Sequence, residues 1–157
     1  MINTGDKAPA FELLSGKREK VSLAGLHGKT VVLAFYPAAF TGVCTKELCT
    51  FRDSLAALND LNATVLGVSV DAPFSNAAFA KQNGLNFPLL SDYARTATRA
   101  YDLAMDDFAG MVGYTASKRT VFVIDGAGTV TYAWVGPNPG VEPNYDEVKA
   151  AVEAAKK

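Results

Sequence analysis

Histidine is almost missing from this chain. His27 is the single one among 157 residues, beside two cysteines, Cys44 and Cys49, and one tryptophan, Trp134. One histidine excludes multi-histidine metal centres, no HExxH occurs, and two cysteines cannot build a four-cysteine zinc site. A serine–histidine–aspartate apparatus would have to use His27, which lies between Leu26 and Gly28 in a turn-like stretch and reads as a solvated loop residue. No glycine-rich phosphate loop or GxGxxG is present; the nearest glycine pair, Gly126 and Gly128, reads as a hairpin turn. Neither sign of charge is in excess. Fifteen Lys and Arg face sixteen Asp and Glu, a formal net charge of −1, which argues against a nucleic-acid partner. No run reaches the ~18 apolar residues needed to cross a bilayer, so no membrane partner is expected. Residues 1–10 carry Asp6 and Lys7 and no apolar run, unlike a secretory signal. The expected location is cytoplasmic, where cysteines are kept reduced unless they react.

What is present is an ordinary globular composition, 49% hydrophobic and 20% charged, enough for one domain over residues 1–157. No repeat or Gly/Ser linker interrupts it. Thr30 to Tyr36 (TVVLAFY), Ala63 to Val70 (ATVLGVSV) and Thr120 to Ile124 (TVFVI) are uncharged, β-branched runs and read as buried strands. Val21 to Leu23 and Phe87 to Leu90 read as short strands, and the Lys17–Lys20 cluster as a solvated turn. Leu48, Phe51, Leu55, Leu58 and Leu61 recur at helical steps and predict a helix from about Thr41 to Leu61, broken at Asn62. Further helices are expected at Phe74 to Asn83 behind Pro73, at Tyr93 to Tyr101, and at Tyr145 to Lys156. Asp102 to Ser117 lacks a clean period and reads as mostly loop. Asp125–Gly128 turns the third strand back into Thr129 to Val135. The order predicts an α/β protein of thioredoxin type, a mixed sheet with helices on both faces.

Chemistry is expected in Phe35 to Asp53, where a buried strand stops at Pro37 and a helix begins. Sites in open α/β sheets form at such strand ends. Thr41 is a good N-cap, its hydroxyl placed to accept from a first-turn N–H. Cys44 then falls in the first turn, where unpaired N–H groups and the helix dipole favour a thiolate over a thiol. The dipole alone gives only about 0.3–1 kcal/mol, so strong activation needs a neighbouring Arg or Lys. A buried, inert Cys44 is the competing reading. Cys49 lies five residues on, which in a helix separates the Cα atoms by about 8.7 Å, beyond the ~7 Å reach of a disulfide. A Cys44–Cys49 bond therefore requires unwinding; otherwise Cys49 is a core residue beside Leu48 and Phe51.

Pro37-Ala38-Ala39-Phe40-Thr41-Gly42-Val43-Cys44 resembles the PxxxTxxC signature of the peroxiredoxins, the thiol peroxidases. The opening Gly5-Asp6-Lys7-Ala8-Pro9-Ala10-Phe11 is similar to that family's start, and the likeness runs over nearly the whole chain. Phe-Thr-Gly-Val-Cys with Glu47 and Arg52-Asp53 resembles the AhpE-like one-cysteine branch. A cysteine five residues after Cys44 resembles the bacterioferritin-comigratory (PrxQ-type) branch. The resemblance implies that Cys44 is the peroxidatic cysteine, that Thr41 hydrogen-bonds the thiolate and the peroxide, and that Pro37 shields the pocket. It also implies that Arg119, just before the Thr120 strand, supplies the cation. Glu47 either organises polar groups around the site, paired with an arginine, or is a solvated helix residue. Cys49 either resolves the Cys44 sulfenic acid or leaves that step to an external thiol. The implied substrates are hydrogen peroxide or organic hydroperoxides and the implied reductant a thioredoxin-like or other thiol. A homodimer is expected by resemblance only, and no metal or organic cofactor is needed.

Two other classes compete. A dithiol–disulfide exchange protein would need CxxC, whereas this spacing is CxxxxC. A non-enzymatic binding or holdase module on the same fold would use Phe35, Tyr36 and Phe40 as an interface.

Overall fold

The three uncharged runs form the middle of the sheet. The computed structural model describes residues 2–155, with the side chains of Leu55 and Ala56 left aside, so the expected placement of Leu55 and the end of the last helix at Lys156 lie outside the described residues. In chain order the elements are β1 (Glu12–Ser15), β2 (Lys20–Ser22), β3 (Thr30–Phe35), α1 (Gly42–Asp60), β4 (Ala63–Ser69), α2 (Pro73–Gln82) and β5 (Leu89–Ser91). There follow α3 (Thr96–Ala100), β6 (Ala104–Met105), β7 (Ala116–Ser117), β8 (Thr120–Ile124), β9 (Val130–Val135) and α4 (Tyr145–Ala155).

The main sheet has seven strands in the order β2-β1-β5-β4-β3-β8-β9. β3, β4 and β5 are parallel, and β8 and β9 join antiparallel at one edge, β1 and β2 at the other. This is the mixed sheet of a thioredoxin fold. The helical crossovers α1 and α2 permit the parallel pairs, which a tight turn cannot connect.

Alternation along the strands separates two cores. Val32, Ala34, Val65, Val121 and Val123 face Leu48, Phe51, Leu58, Phe79, Val148 and Val152, the buried stripes of α1, α2 and α4. Val31, Leu33, Phe35, Val68, Phe122 and Ile124 face the other way, onto Phe11, Leu13, Ala97, Tyr101 and Leu103. The sheet is thus buried on both faces, which is why its central strands carry no alternating polar residues.

Departures from the sequence reading lie at the edges. Glu12–Ser15 is a strand that was not foreseen; its pairing with β2 and β5, rather than its own composition, makes it one. Residues 102–117, expected to be mostly loop, also contain a short two-stranded ribbon, Ala104 with Ser117 and Met105 with Ala116. α3 begins only at Thr96, because the buried Asp92 carboxylate accepts the N–H groups of Ala97 and Thr98 and fixes the helix start there. Phe35 and Tyr36 are fully buried, so of the three aromatics offered as an interface only Phe40 is exposed. His27 is exposed, as expected. Among the described residues no helix is long and apolar enough to cross a membrane, and no group of three or more His, Cys, Asp and Glu could hold a metal ion.

Gly67 on β4 leaves room beneath α1. A Cβ there would lie 2.6 Å from Leu89 Cδ2 and 3.3 Å from Tyr36 Cε1, both buried. Gly67→Ala is expected to cost about 1–3 kcal/mol by overpacking, read as a lower urea midpoint with an unchanged slope.

Candidate active site

β3 ends at Phe35, and the chain crosses to α1 through Tyr36 to Thr41. The buried Pro37 removes a ladder donor and stops the strand. Phe40 adopts φ +65°, the left-handed region that a bulky residue occupies only at a cost of about 1–3 kcal/mol. Three contacts hold the loop in that shape. The Ala39 N–H donates to Asp71 Oδ2 at 2.8 Å, the Thr41 hydroxyl donates to the Ala38 carbonyl at 2.7 Å, and the Phe40 ring meets Phe79 edge-on at 5.1 Å. Asp71 is itself fixed by the Ser69 hydroxyl at the end of β4.

Thr41 occupies the N-cap position of α1, as the sequence predicts, but its side chain makes no capping bond. Its proton goes back to Ala38, not to Cys44, so the expected hydrogen bond to the thiolate is not formed here. Cys44 is the third residue of α1, in the turn whose N–H groups have no carbonyl one turn back. Its side chain is almost fully covered, 1% exposed.

Arg119 completes the site from across the sheet. Thr120 pairs with Phe35, which places Arg119 level with the chain leaving β3. The buried guanidinium donates through Nη2 to Cys44 Sγ at 3.1 Å, through Nη1 to Glu47 Oε1 at 2.8 Å, and through Nε and Nη2 to the Pro139 carbonyl at 3.2 and 2.9 Å. Glu47 therefore faces inward and pairs with an arginine. Burial works against the charge of Arg119, but the neighbouring sulfur and the Glu47 carboxylate outweigh it and raise its pKa. Burial pushes the Glu47 carboxyl up to about 7, against the pull of Arg119. Its second oxygen, Oε2, has no protein partner. One buried cation thus faces both the sulfur and the carboxyl.

Cys49 sits elsewhere. It is half-buried on another face of α1, outside the core cluster that holds Leu48 and Phe51, with its thiol 3.9 Å from Asn83 Oδ1. Both thiols are free and α1 runs unbroken through them.

The Pro139 carbonyl and Asp71 were not foreseen. A backbone carbonyl carries no residue signature. Asp71 had a signal, its place just past the carboxyl end of a parallel strand.

Fold and site define a thioredoxin-fold protein whose cysteine, at a helix start, is held by a buried arginine. The AhpC/TSA family model matches residues 4–133. The chain belongs to that family, the peroxiredoxins, and is a thiol-dependent peroxidase that takes a peroxide substrate and a thiol reductant. It is 37% identical over 147 residues to a peroxiredoxin bcp of Coxiella burnetii, covering 94% of this chain and 96% of that protein. The crystal structure of Peroxidoxin BcpB from Mycobacterium tuberculosis superposes with a TM-score of 0.86 at 32% identity, covering 98% of both chains. Peroxiredoxin Q of Xanthomonas campestris gives 0.82 at 29% identity, covering 94% of this chain and 92% of that one. These names fall on the bacterioferritin-comigratory and Q side of the family.

An acid whose pKa rises on folding weakens the fold as it ionises. The contribution of Glu47 is intact below its unfolded value near 4.5 and is lost as pH rises from there to about 7. Glu47→Gln should remove that slope. In urea titrations of reduced protein, wild type is expected to lose up to about 3 kcal/mol relative to Glu47→Gln between pH 4.5 and 7.5.

Proposed function

We propose that Cys44 is the peroxidatic cysteine and that Arg119, Thr41 and Pro37 form its peroxide pocket. The observation that carries this is the 3.1 Å contact from Arg119 Nη2 to Cys44 Sγ inside a buried site. A guanidinium stays protonated at any working pH, and a charge-assisted bond to sulfur favours the thiolate, the nucleophilic form.

The thiolate attacks one peroxide oxygen in line with the O–O bond. A sulfur–oxygen bond forms, the O–O bond breaks, and negative charge moves from sulfur to the departing oxygen, which leaves as water or an alcohol after taking a proton. Arg119 and the first-turn N–H groups of α1 face the place where this charge travels, and they need no rearrangement to stabilise it. With its own proton bound to Ala38, the Thr41 hydroxyl offers its lone pairs to the O–H of the incoming peroxide. Pro37 and the buried packing around it keep water from the sulfur. The product is a Cys44 sulfenic acid, the first and reversible rung of thiol oxidation. Glu47 holds the guanidinium in place. No metal or organic cofactor enters any step.

Reduction completes the cycle. Cys49 is the resolving thiol in this reading, forming an intramolecular disulfide after α1 unwinds, and a thioredoxin-like protein is the reductant. The whole chain works as one domain in the reducing cytoplasm. A homodimer is part of the same reading. Phe40, Phe74 and Tyr93 are exposed in the segments that follow β3, β4 and β5, at one end of the sheet. Met111 and Val112 are exposed on the loop whose Tyr114 ring lies under Arg95, just after β5. Clustered exposed apolar residues of this kind mark an interface.

The test is stopped-flow oxidation of reduced protein by one equivalent of hydrogen peroxide. Wild type should consume thiol far faster than free cysteine, Cys44→Ser should not react in this phase, and Arg119→Ala should be slower by about 100-fold or more. Arg119→Ala also strands the Glu47 carboxyl in the core, so it is assayed at a temperature where circular dichroism shows it folded. A wild-type rate equal to that of free cysteine would end the assignment.

A further inference from the structure

If Cys49 resolves the sulfenic acid, whatever holds its turn of α1 in helical form sets the speed of that step. One polar restraint on this turn comes from the end of α2. Asn83, the residue after α2, is fastened to that helix by its own side chain, whose Nδ2 donates to the Phe79 carbonyl at 3.0 Å. It receives two groups from α1. The Cys49 thiol points to Asn83 Oδ1 at 3.9 Å, and Arg52 Nη1 donates to the Asn83 carbonyl at 2.6 Å. Cys49 and Arg52 are three residues apart, neighbours on one helix face. The Arg52 fork is aimed further by Asp53, whose carboxylate accepts from Nε at 3.0 Å. The charge of Arg52 is favoured chiefly by that Asp53 bond and also by the nearby Cys49 sulfur. The preceding turn of α1 is held by other partners, Arg119 on Cys44 and Glu47, and Glu142 on Lys46, and the inner side by apolar contacts of Leu48 and Phe51.

We propose that Asn83 and Arg52 form a latch that gates the resolving step. The proposal rests on the reading of Cys49 as the resolving thiol. With the latch closed, Cys49 faces Asn83 and cannot approach Cys44, because the helix keeps the two Cα atoms about 8.7 Å apart. With it open, the turns from Gly42 to Arg52 unwind. Cys49 then gives up its proton to solvent, its sulfur bonds to the sulfenic sulfur, and the S–O bond breaks, the departing oxygen taking up a proton from solvent and leaving as water. Cys49 is oxidised and Cys44 is reduced from sulfenic acid to disulfide. While the latch stays closed, a second peroxide can oxidise the sulfenic acid to the sulfinic acid. The latch therefore sets the peroxide level at which the enzyme is lost to overoxidation. Arg52 and Asn83 act here as positioning residues, through Cys49.

Rapid-quench alkylation with intact-mass readout separates the steps. Arg52→Ala should leave sulfenic acid formation unchanged, speed disulfide formation about fivefold, and lower the sulfinic yield at high peroxide. Asn83→Ala should act in the same direction by about twofold to threefold. Val130→Ala, which loosens the core on the opposite face of the sheet, should leave the disulfide step unchanged. Equal acceleration by Val130→Ala would replace the latch with general loosening and overturn the proposal. A wild type that forms the disulfide while Arg52→Ala forms it no faster overturns the latch alone. A wild type that forms no intramolecular disulfide overturns the resolving role of Cys49 itself.

Discussion

A single buried guanidinium ties the reactive end of this protein together. Arg119 touches the Cys44 sulfur, the Glu47 carboxylate and the Pro139 carbonyl at once. A buried cation without partners is costly, so each of these groups is as necessary to Arg119 as Arg119 is to them. The charges do not balance if both acids ionise. Burial answers this at Glu47, whose carboxyl it raises to about 7 against the pull of Arg119. The same burial thus stores some instability in the fold, and Glu47 is where it is stored.

Sheet register delivers that cation. Residues 44 and 119 are far apart in sequence, and only the antiparallel pairing of β8 with β3 brings them together. Phe35 opposite Thr120 fixes Arg119 beside the loop that starts at Tyr36. A slip of one residue would turn Arg119 onto the other face of the sheet and exchange the two cores, Val121 and Val123 for Phe122 and Ile124. Packing on both faces therefore protects the placement of Arg119. The strained Phe40 belongs to the same scheme. Its left-handed turn, held by Asp71 and Phe79, sets the entry of α1 and hence the direction of Cys44.

Much of this was legible in the sequence because it is local. TVVLAFY, ATVLGVSV and TVFVI announce buried strands by composition, and α1 by its leucine spacing. Cys44 in the first turn follows from Pro37 and Thr41. Arg119 came from resemblance, since a Lys-Arg pair before a strand is commonly a solvated edge. The misses are non-local. Glu12–Ser15 becomes a strand through its neighbours, and the ribbon of Ala104 and Ser117 through a pairing across a long loop. Thr41 reads as a capping acceptor, yet the turn at Phe40 brings the Ala38 carbonyl within reach of its proton, and the tertiary loop decides the bond. The half-buried Cys49 faces Asn83 because α2 passes on that side, which leucine spacing cannot reveal.

The Pro139 carbonyl carries a last consequence. It accepts twice from Arg119, yet it belongs to the main chain, and the proline ring itself takes no part in either bond. Alanine scanning is blind to such a partner. Any residue that keeps the path of the chain presents the same acceptor to Arg119. Insertions or deletions between β9 and α4 would instead disarm the enzyme while leaving every reactive side chain in place.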